Sequence, residues 1–122
     1  LHSIDGEVFL MDELLHQMGE RIISRRKQLR LTQEELAEAA GVTPQTISTA
    51  ELGKKALRPA NIIKICSALD ISPDYLLLGR ISNEDTSILN QKVSRLSPEQ
   101  YRHLEDIVDS FIAVAVPDKN EA

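Results

Sequence analysis

The stretch Thr32–Gly53, TQEELAEAAGVTPQTISTAELG, decides the fold. Thr32 suits a helix N-cap and Glu35 follows three residues later, so Thr32-Gln33-Glu34-Glu35 reads as a capping box. Leu36, Ala37 and Ala40 then share one helical face. Gly41 ends this helix, where a positive φ is expected, and Val42 plugs the turn. Thr43 caps a second helix with Pro44 at its first position. Ile47 and Ala50 point inward from it, and Gly53 closes it. Two short helices crossing at a small Ala37 form a helix-turn-helix. The plainer alternative is an αα-hairpin of any helical bundle. Either way a pair this short needs neighbouring helices to cover its apolar face.

Those neighbours are written on both sides. Upstream, Asp12 is a candidate cap for a helix carrying Leu14, Leu15, Met18, Ile22 and Leu29. That helix runs into the basic cluster Arg25-Arg26-Lys27, with Arg21 and Arg30 nearby. Such a run is usually a solvated face, and here it is also a candidate for lying near a phosphate backbone. Residues 1–10 carry no signal, and Met11 reads as a plausible natural start. Downstream, Lys54-Lys55-Ala56-Leu57-Arg58 makes a basic loop, and Pro59 starts a helix to Leu69. Ile62, Ile63, Ile65, Cys66 and Leu69 spread over a wide arc of it, as in a helix wedged between others. Ser72-Pro73-Asp74 opens a short helix with Tyr75, Leu76 and Leu77, ended by Gly79.

After a polar connector, Asn83-Glu84-Asp85 starts a helix with Ile88, Leu89, Val93 and Leu96 expected inward. Ser97-Pro98-Glu99-Gln100 is a further helix start, again with a capping box. From it Tyr101, Leu104, Val108, Phe111 and Ala115 recur at alternating three- and four-residue spacing, and Ile107, Ile112 and Val114 widen the stripe. A helix over 98–115 would span roughly 27 Å at about 1.5 Å per residue. Its stripe needs a partner, either the chain's own helices or the same helix of a second copy. The second is the reading preferred here, with Tyr101, Leu104, Val108, Phe111 and Ile112 as the dimer seam.

The chain has 122 residues, 42% of them hydrophobic and only 3% aromatic, with no Trp. Its core must therefore be aliphatic, as in a small helical bundle. No apolar run has transmembrane length and no stretch reads as a signal peptide. With a lone cysteine, Cys66, there is no internal disulfide, and a reducing cytoplasm is expected. Cys66 itself reads as a small core residue rather than a nucleophile. The net charge is −5, but its distribution is uneven. Residues 1–17 carry −4, residues 18–80 carry +3 and residues 81–122 carry −4. The positive charge is concentrated where the helix-turn-helix lies, as expected of a domain that meets phosphates.

From Met18 to Gly79 the chain resembles the phage-repressor and Cro-like helix-turn-helix family, also called the Xre family. The residues that carry the resemblance are Arg21-Ile22, Arg26, Leu31-Thr32-Gln33-Glu34-Glu35-Leu36-Ala37, Gly41-Val42-Thr43, Ile47-Ser48, Glu51 and Gly53. They continue with Ile65, Ala68-Leu69, Ile71-Ser72 and Tyr75-Leu76-Leu77. The resemblance implies a five-helix DNA-binding domain over residues 12–80; with the helical region over 81–116, read from its own apolar stripe as the dimerising part, the chain is expected to be all-α.

The helix Thr43–Leu52 is then expected in the major groove of double-stranded DNA. The family pattern puts base contacts at Pro44, Gln45 and Thr49, with Thr46 and Ser48 as further candidates on the same helix. Gln45 matches the edge of adenine, and the Thr49 methyl matches a thymine methyl. Pro44 departs from the polar residue usual in the family, and so does Leu52. Ser48 stays open between the groove and helix capping. Gln33, at the start of its helix, is expected on a phosphate, with Lys54, Lys55, Arg58 and Arg26 as other backbone ligands. Glu51 is acidic beside DNA and is expected to pair with a nearby Arg.

No catalytic or metal-binding spacing is present, so no enzyme, cofactor or metal is expected. The resemblance implies a repressor that binds an inverted repeat as a homodimer. The alternative is an antitoxin, or a regulator whose terminal helices hold a protein antagonist or toxin.

Overall fold

Thr32 and Glu35 form the expected capping box in the computed structural model of the chain, which describes residues 4–115. The Thr32 hydroxyl accepts from the Glu35 N–H at 3.0 Å, and the Glu35 carboxylate accepts from the Thr32 N–H at 3.0 Å. The described residues form seven helices: α1 (Ile4–Gln28), α2 (Gln33–Ala40), α3 (Pro44–Glu51), α4 (Pro59–Leu69), α5 (Pro73–Leu78), α6 (Asn83–Val93) and α7 (Pro98–Ala115). By contacts the chain divides into two units, Leu1–Thr86 and Ser87–Ala122.

In the first unit α1–α5 surround one aliphatic core. Ile22, Leu36, Ile47, Ile65, Leu69 and Leu76 are fully buried at its centre. Leu14, Leu15, Leu29, Val42, Leu57 and Ile62 pack around them. Fully burying one Leu or Ile contributes roughly 1.5–3 kcal/mol, so these six are the main source of cohesion. Cys66 is a buried part of this core, as its sequence context suggests. Ile63 is not: it is 65% exposed, so the buried face of α4 is narrower than its composition implies.

Two glycines set how closely elements approach. A Cβ on Gly19, in the middle of α1, would lie 2.4 Å from the Glu51 carbonyl oxygen. Gly53 has φ +68°, and a Cβ there would meet the α1 backbone at His16 at 2.9 Å. The end of the helix-turn-helix thus packs on α1 through backbone-to-backbone contact. This contact fixes the second helix of the motif in place.

The α1 arginines finish the unit. Arg21 donates to the Leu76 carbonyl at 3.0 Å and Arg25 to the Leu69 carbonyl at 2.8 Å. Both carbonyls belong to last turns of helices, α5 and α4, which lack intrahelical partners. The helix already runs through Ile4, the first described residue, so Asp12 is an interior residue and not the cap expected of it.

α7 starts at Pro98, as its sequence signals define, and its capping box is formed. The Ser97 N–H donates to Gln100 at 2.9 Å, and the Gln100 N–H to the Ser97 hydroxyl at 3.2 Å. Leu89 (59% exposed) and Leu96 do not face inward as expected. Within one chain no described residue of α6 or α7 is buried.

Candidate nucleic-acid interface

α3 is oriented by what it buries. Thr43 caps it, its hydroxyl accepting the Thr46 N–H at 3.1 Å, and Pro44 supplies a preset φ at the first position. Ile47, Ala50 and Glu51 turn inward. Pro44 and Gln45 are therefore exposed, while Thr46, Ser48 and Thr49 are half-buried. The Gln45 amide donates to the Thr49 hydroxyl at 3.2 Å, one turn on. That contact uses one amide hydrogen and leaves the carbonyl oxygen and the second N–H outward. The Thr46 hydroxyl shares a 2.9 Å bond with the Thr43 hydroxyl, which ties it to the cap. Leu52 is exposed just past the end of α3.

Beside this face lies a groove of roughly 230 Å³. Gln45, Thr46 and Thr49 form one wall, and Lys55, Arg58 and Asn61 contribute to the other. Lys54, Lys55 and Arg58 are exposed, and none makes a side-chain hydrogen bond or ion pair with the described residues. Their charges are thus available to an anion. Asn61 was not visible as a groove residue from sequence, because it belongs to α4 and meets α3 only through the tertiary fold.

Behind the outward face is a buried polar cluster. Arg26 donates to Glu51 through Nε at 2.6 Å and through Nη2 at 3.1 Å, and through Nη1 to the Leu31 carbonyl at 2.9 Å. The bond to Glu51 raises the Arg26 pKa above its ordinary value. The Gln33 amide donates to the same carboxylate at 2.9 Å. Glu51 therefore joins α1, α2 and α3. Arg26, expected as a DNA-backbone ligand, has its guanidinium turned inward to this carboxylate, and Arg21 and Arg25 are occupied by helix-end carbonyls. Of the basic cluster at the end of α1, Lys27 remains exposed, as does Arg30 in the turn that follows. Gln33 keeps one amide hydrogen, at the open N-terminus of α2.

In the second unit, Tyr101, Val108, Phe111 and Ile112 are exposed on α7 and Leu104 is half-buried. Phe111 is 70% exposed, unusual for an aromatic side chain in a folded helix. Among the described residues no group of three His, Cys, Asp or Glu side chains forms a metal site, and no helix is long and apolar enough to cross a membrane.

Comparison with known proteins places the chain in a family. Residues 22–76 match the helix-turn-helix family. The chain is 39% identical over 70 residues to the repressor protein C2 of Salmonella phage P22, covering 57% of this chain but only 32% of that repressor. It is 32% identical over 100 residues to the uncharacterized HTH-type transcriptional regulator YqaE of Bacillus subtilis, covering 80% of this chain and 85% of that protein. A crystal structure of the P22 c2 repressor in complex with a synthetic operator superposes with a TM-score of 0.50 at 41% identity, over 52% of this chain and 96% of that one. The chain therefore belongs to the helix-turn-helix family of DNA-binding transcriptional regulators, together with phage repressors.

Proposed function

We propose that this protein is a cytoplasmic, sequence-specific transcriptional repressor that binds an inverted-repeat operator as a homodimer. Residues 12–80 act as the DNA-binding region and residues 81–116 as the dimerisation region. The observation that carries the reading is the exposed face of α3, flanked by three cations that have no side-chain partner among the described residues. Gln45 and Thr49 contact bases, with Pro44, Thr46 and Ser48 at the groove edge. Lys54, Lys55, Arg58 and Gln33 hold phosphates. Arg26 acts one step back, by holding Glu51 and through it Gln33. The P22 c2 repressor, solved on an operator, supports the duplex as the partner.

The exposed stripe of α7 supports a second copy as its cover. Two α3 helices then read half-sites about 34 Å apart, one helical turn. Selection of bound sites from random duplexes tests the reading. An enriched inverted repeat, bound with steep salt dependence, is the expected result. No enriched motif, with binding indifferent to salt, overturns it.

A further inference from the structure

The outward face of α3 carries few polar groups, and most are already committed. Pro44 has no N–H and no polar side-chain atom. The Thr46 hydroxyl shares its 2.9 Å bond with the Thr43 hydroxyl. Ser48 is half-buried. Gln45 is exposed, and its Nε2 donates to the Thr49 hydroxyl at 3.2 Å, one turn further along. Thr49 is half-buried and lines the same groove as Gln45. Being β-branched, it is the stiffer of the two side chains and holds the longer one.

A carboxamide has one acceptor oxygen and two N–H donors. With one N–H given to Thr49, the outward edge of Gln45 carries a single donor beside an acceptor. Adenine presents an N7 acceptor and an N6–H donor in the major groove, which complement that edge. Guanine presents two acceptors there, N7 and O6. Serving both takes two free N–H groups, whereas one N–H beside the carbonyl oxygen sets oxygen against an acceptor. The Thr49 hydroxyl thus withholds the second donor that guanine needs.

We infer that Thr49 is a specificity-determining residue: its hydroxyl holds the Gln45 carboxamide so that the base facing Gln45 in each half-site is read as adenine and guanine is rejected. The inference rests on the reading of α3 as the base-contacting helix. In this role Thr49 acts through Gln45, as a positioning residue. Removing its hydroxyl frees the second N–H, so guanine becomes acceptable while adenine stays so.

The test uses full-length wild type, Thr49→Val, Thr49→Ala, Thr49→Ser and Gln45→Ala. Each is titrated on the operator selected from random duplexes and on its single-base variants. The position whose preference Gln45→Ala abolishes is the one Gln45 reads. There the wild type should favour adenine over guanine roughly tenfold or more. Thr49→Val should lose most of that ratio, chiefly by binding the guanine duplex more tightly than the wild type does. Thr49→Ser, which keeps a hydroxyl, should preserve the ratio. Thr49→Ala removes the hydroxyl a second way and decides the matter if valine disturbs the helix. A gain on guanine is a readout that mere damage to α3 cannot produce. An undiminished adenine preference in the hydroxyl-free variants, or an equal loss on adenine and guanine duplexes, overturns the role of Thr49. A motif with no position that depends on Gln45, or with guanine or a pyrimidine preferred there, overturns the inference and leaves the repressor reading standing. No enriched motif at all overturns the repressor reading, and this inference with it.

Discussion

Arg26 and Glu51 join α1 to the end of α3 through two hydrogen bonds, at 2.6 and 3.1 Å, with their side chains only 13% and 4% exposed. Such a pair adds little net stability over a well-packed apolar one, because both charges were taken from water. Its cost of disruption is another matter. Glu51→Ala leaves a guanidinium largely buried without its anion and releases Gln33, and a loss of about 3–5 kcal/mol is expected. Arg26→Ala/Glu51→Ala should cost clearly less than the sum of the two single changes. Urea denaturation of the three variants measures this, and strict additivity would contradict the coupling.

Most helix boundaries were legible because local chemistry sets them. Thr32 with Glu35, Thr43-Pro44, Pro59, Ser72-Pro73 and Ser97-Pro98 each supply a cap or a preset φ within a few residues of the boundary they define. The first helix is a different case: the sequence offers Asp12 as a cap, but the helix already runs through Ile4, eight residues earlier. An arginine partner for Glu51 was legible, but which of Arg21, Arg25 and Arg26 the fold would use, and for what, was hidden for a different reason. Their partners are the carbonyls of Leu76 and Leu69 and the carboxylate of Glu51, 25 to 55 residues away. A basic run in sequence says nothing of which members the fold consumes. Gly19 was passed over likewise, because close approach exists only once the helices pack. At the candidate site, α3 and the basic loop were readable from local pattern, whereas Asn61 on the facing wall was not.

Gly19 offers a direct probe of that packing. Alanine normally favours a helix over glycine by about 1 kcal/mol. Here its methyl would strike the carbonyls of Glu51 and Ala50, which are backbone and cannot swing away. Gly19→Ala should therefore destabilise, by about 1–3 kcal/mol, and shift α3. A thermal midpoint at or above wild type would show that α1 and α3 do not approach as described.

Cys66 gives a pH-dependent prediction. Burial, with smaller contributions from Glu84 and Asp85, pushes its thiol up to about 11. In the unfolded chain a thiol ionises near roughly 8.5. Between these values the unfolded state releases its proton first, so this group's contribution to stability falls as pH rises through the window. Denaturation of wild type and Cys66→Ala at pH 8 and pH 10.5 should show the wild-type advantage shrinking at the higher pH. A constant difference would mean the thiol is not shielded.

Phe111 tests assembly without disturbing the fold of the chain, since it is already 70% exposed. Phe111→Asp should leave helicity unchanged and yield monomers, because an unpaired carboxylate in an apolar seam is costly to bury. Sedimentation decides. Variant and wild type of equal mass, whether both monomeric or both dimeric, would exclude a dimer built on this face of α7.

Gln45 and Lys54 separate reading from holding. Gln45 is the one carboxamide on the exposed face of α3, and its bond to Thr49 presets its orientation while leaving an acceptor and a donor outward. Gln45→Ala should cost roughly 1–3 kcal/mol on the selected operator and relax the choice at one base pair per half-site. Lys54 stands in the loop beyond α3, exposed and without an ion-pair partner among the described residues. Lys54→Ala should weaken every duplex about equally and reduce the salt dependence, because a phosphate contact carries no sequence information. Both variants are titrated against the operator, its single-base variants and an unrelated duplex at several salt concentrations. If Gln45→Ala loses the same affinity on every duplex, Gln45 is not a base reader. Specificity would then have to come from Thr49, from Ser48 or Thr46, or from the shape of the DNA itself.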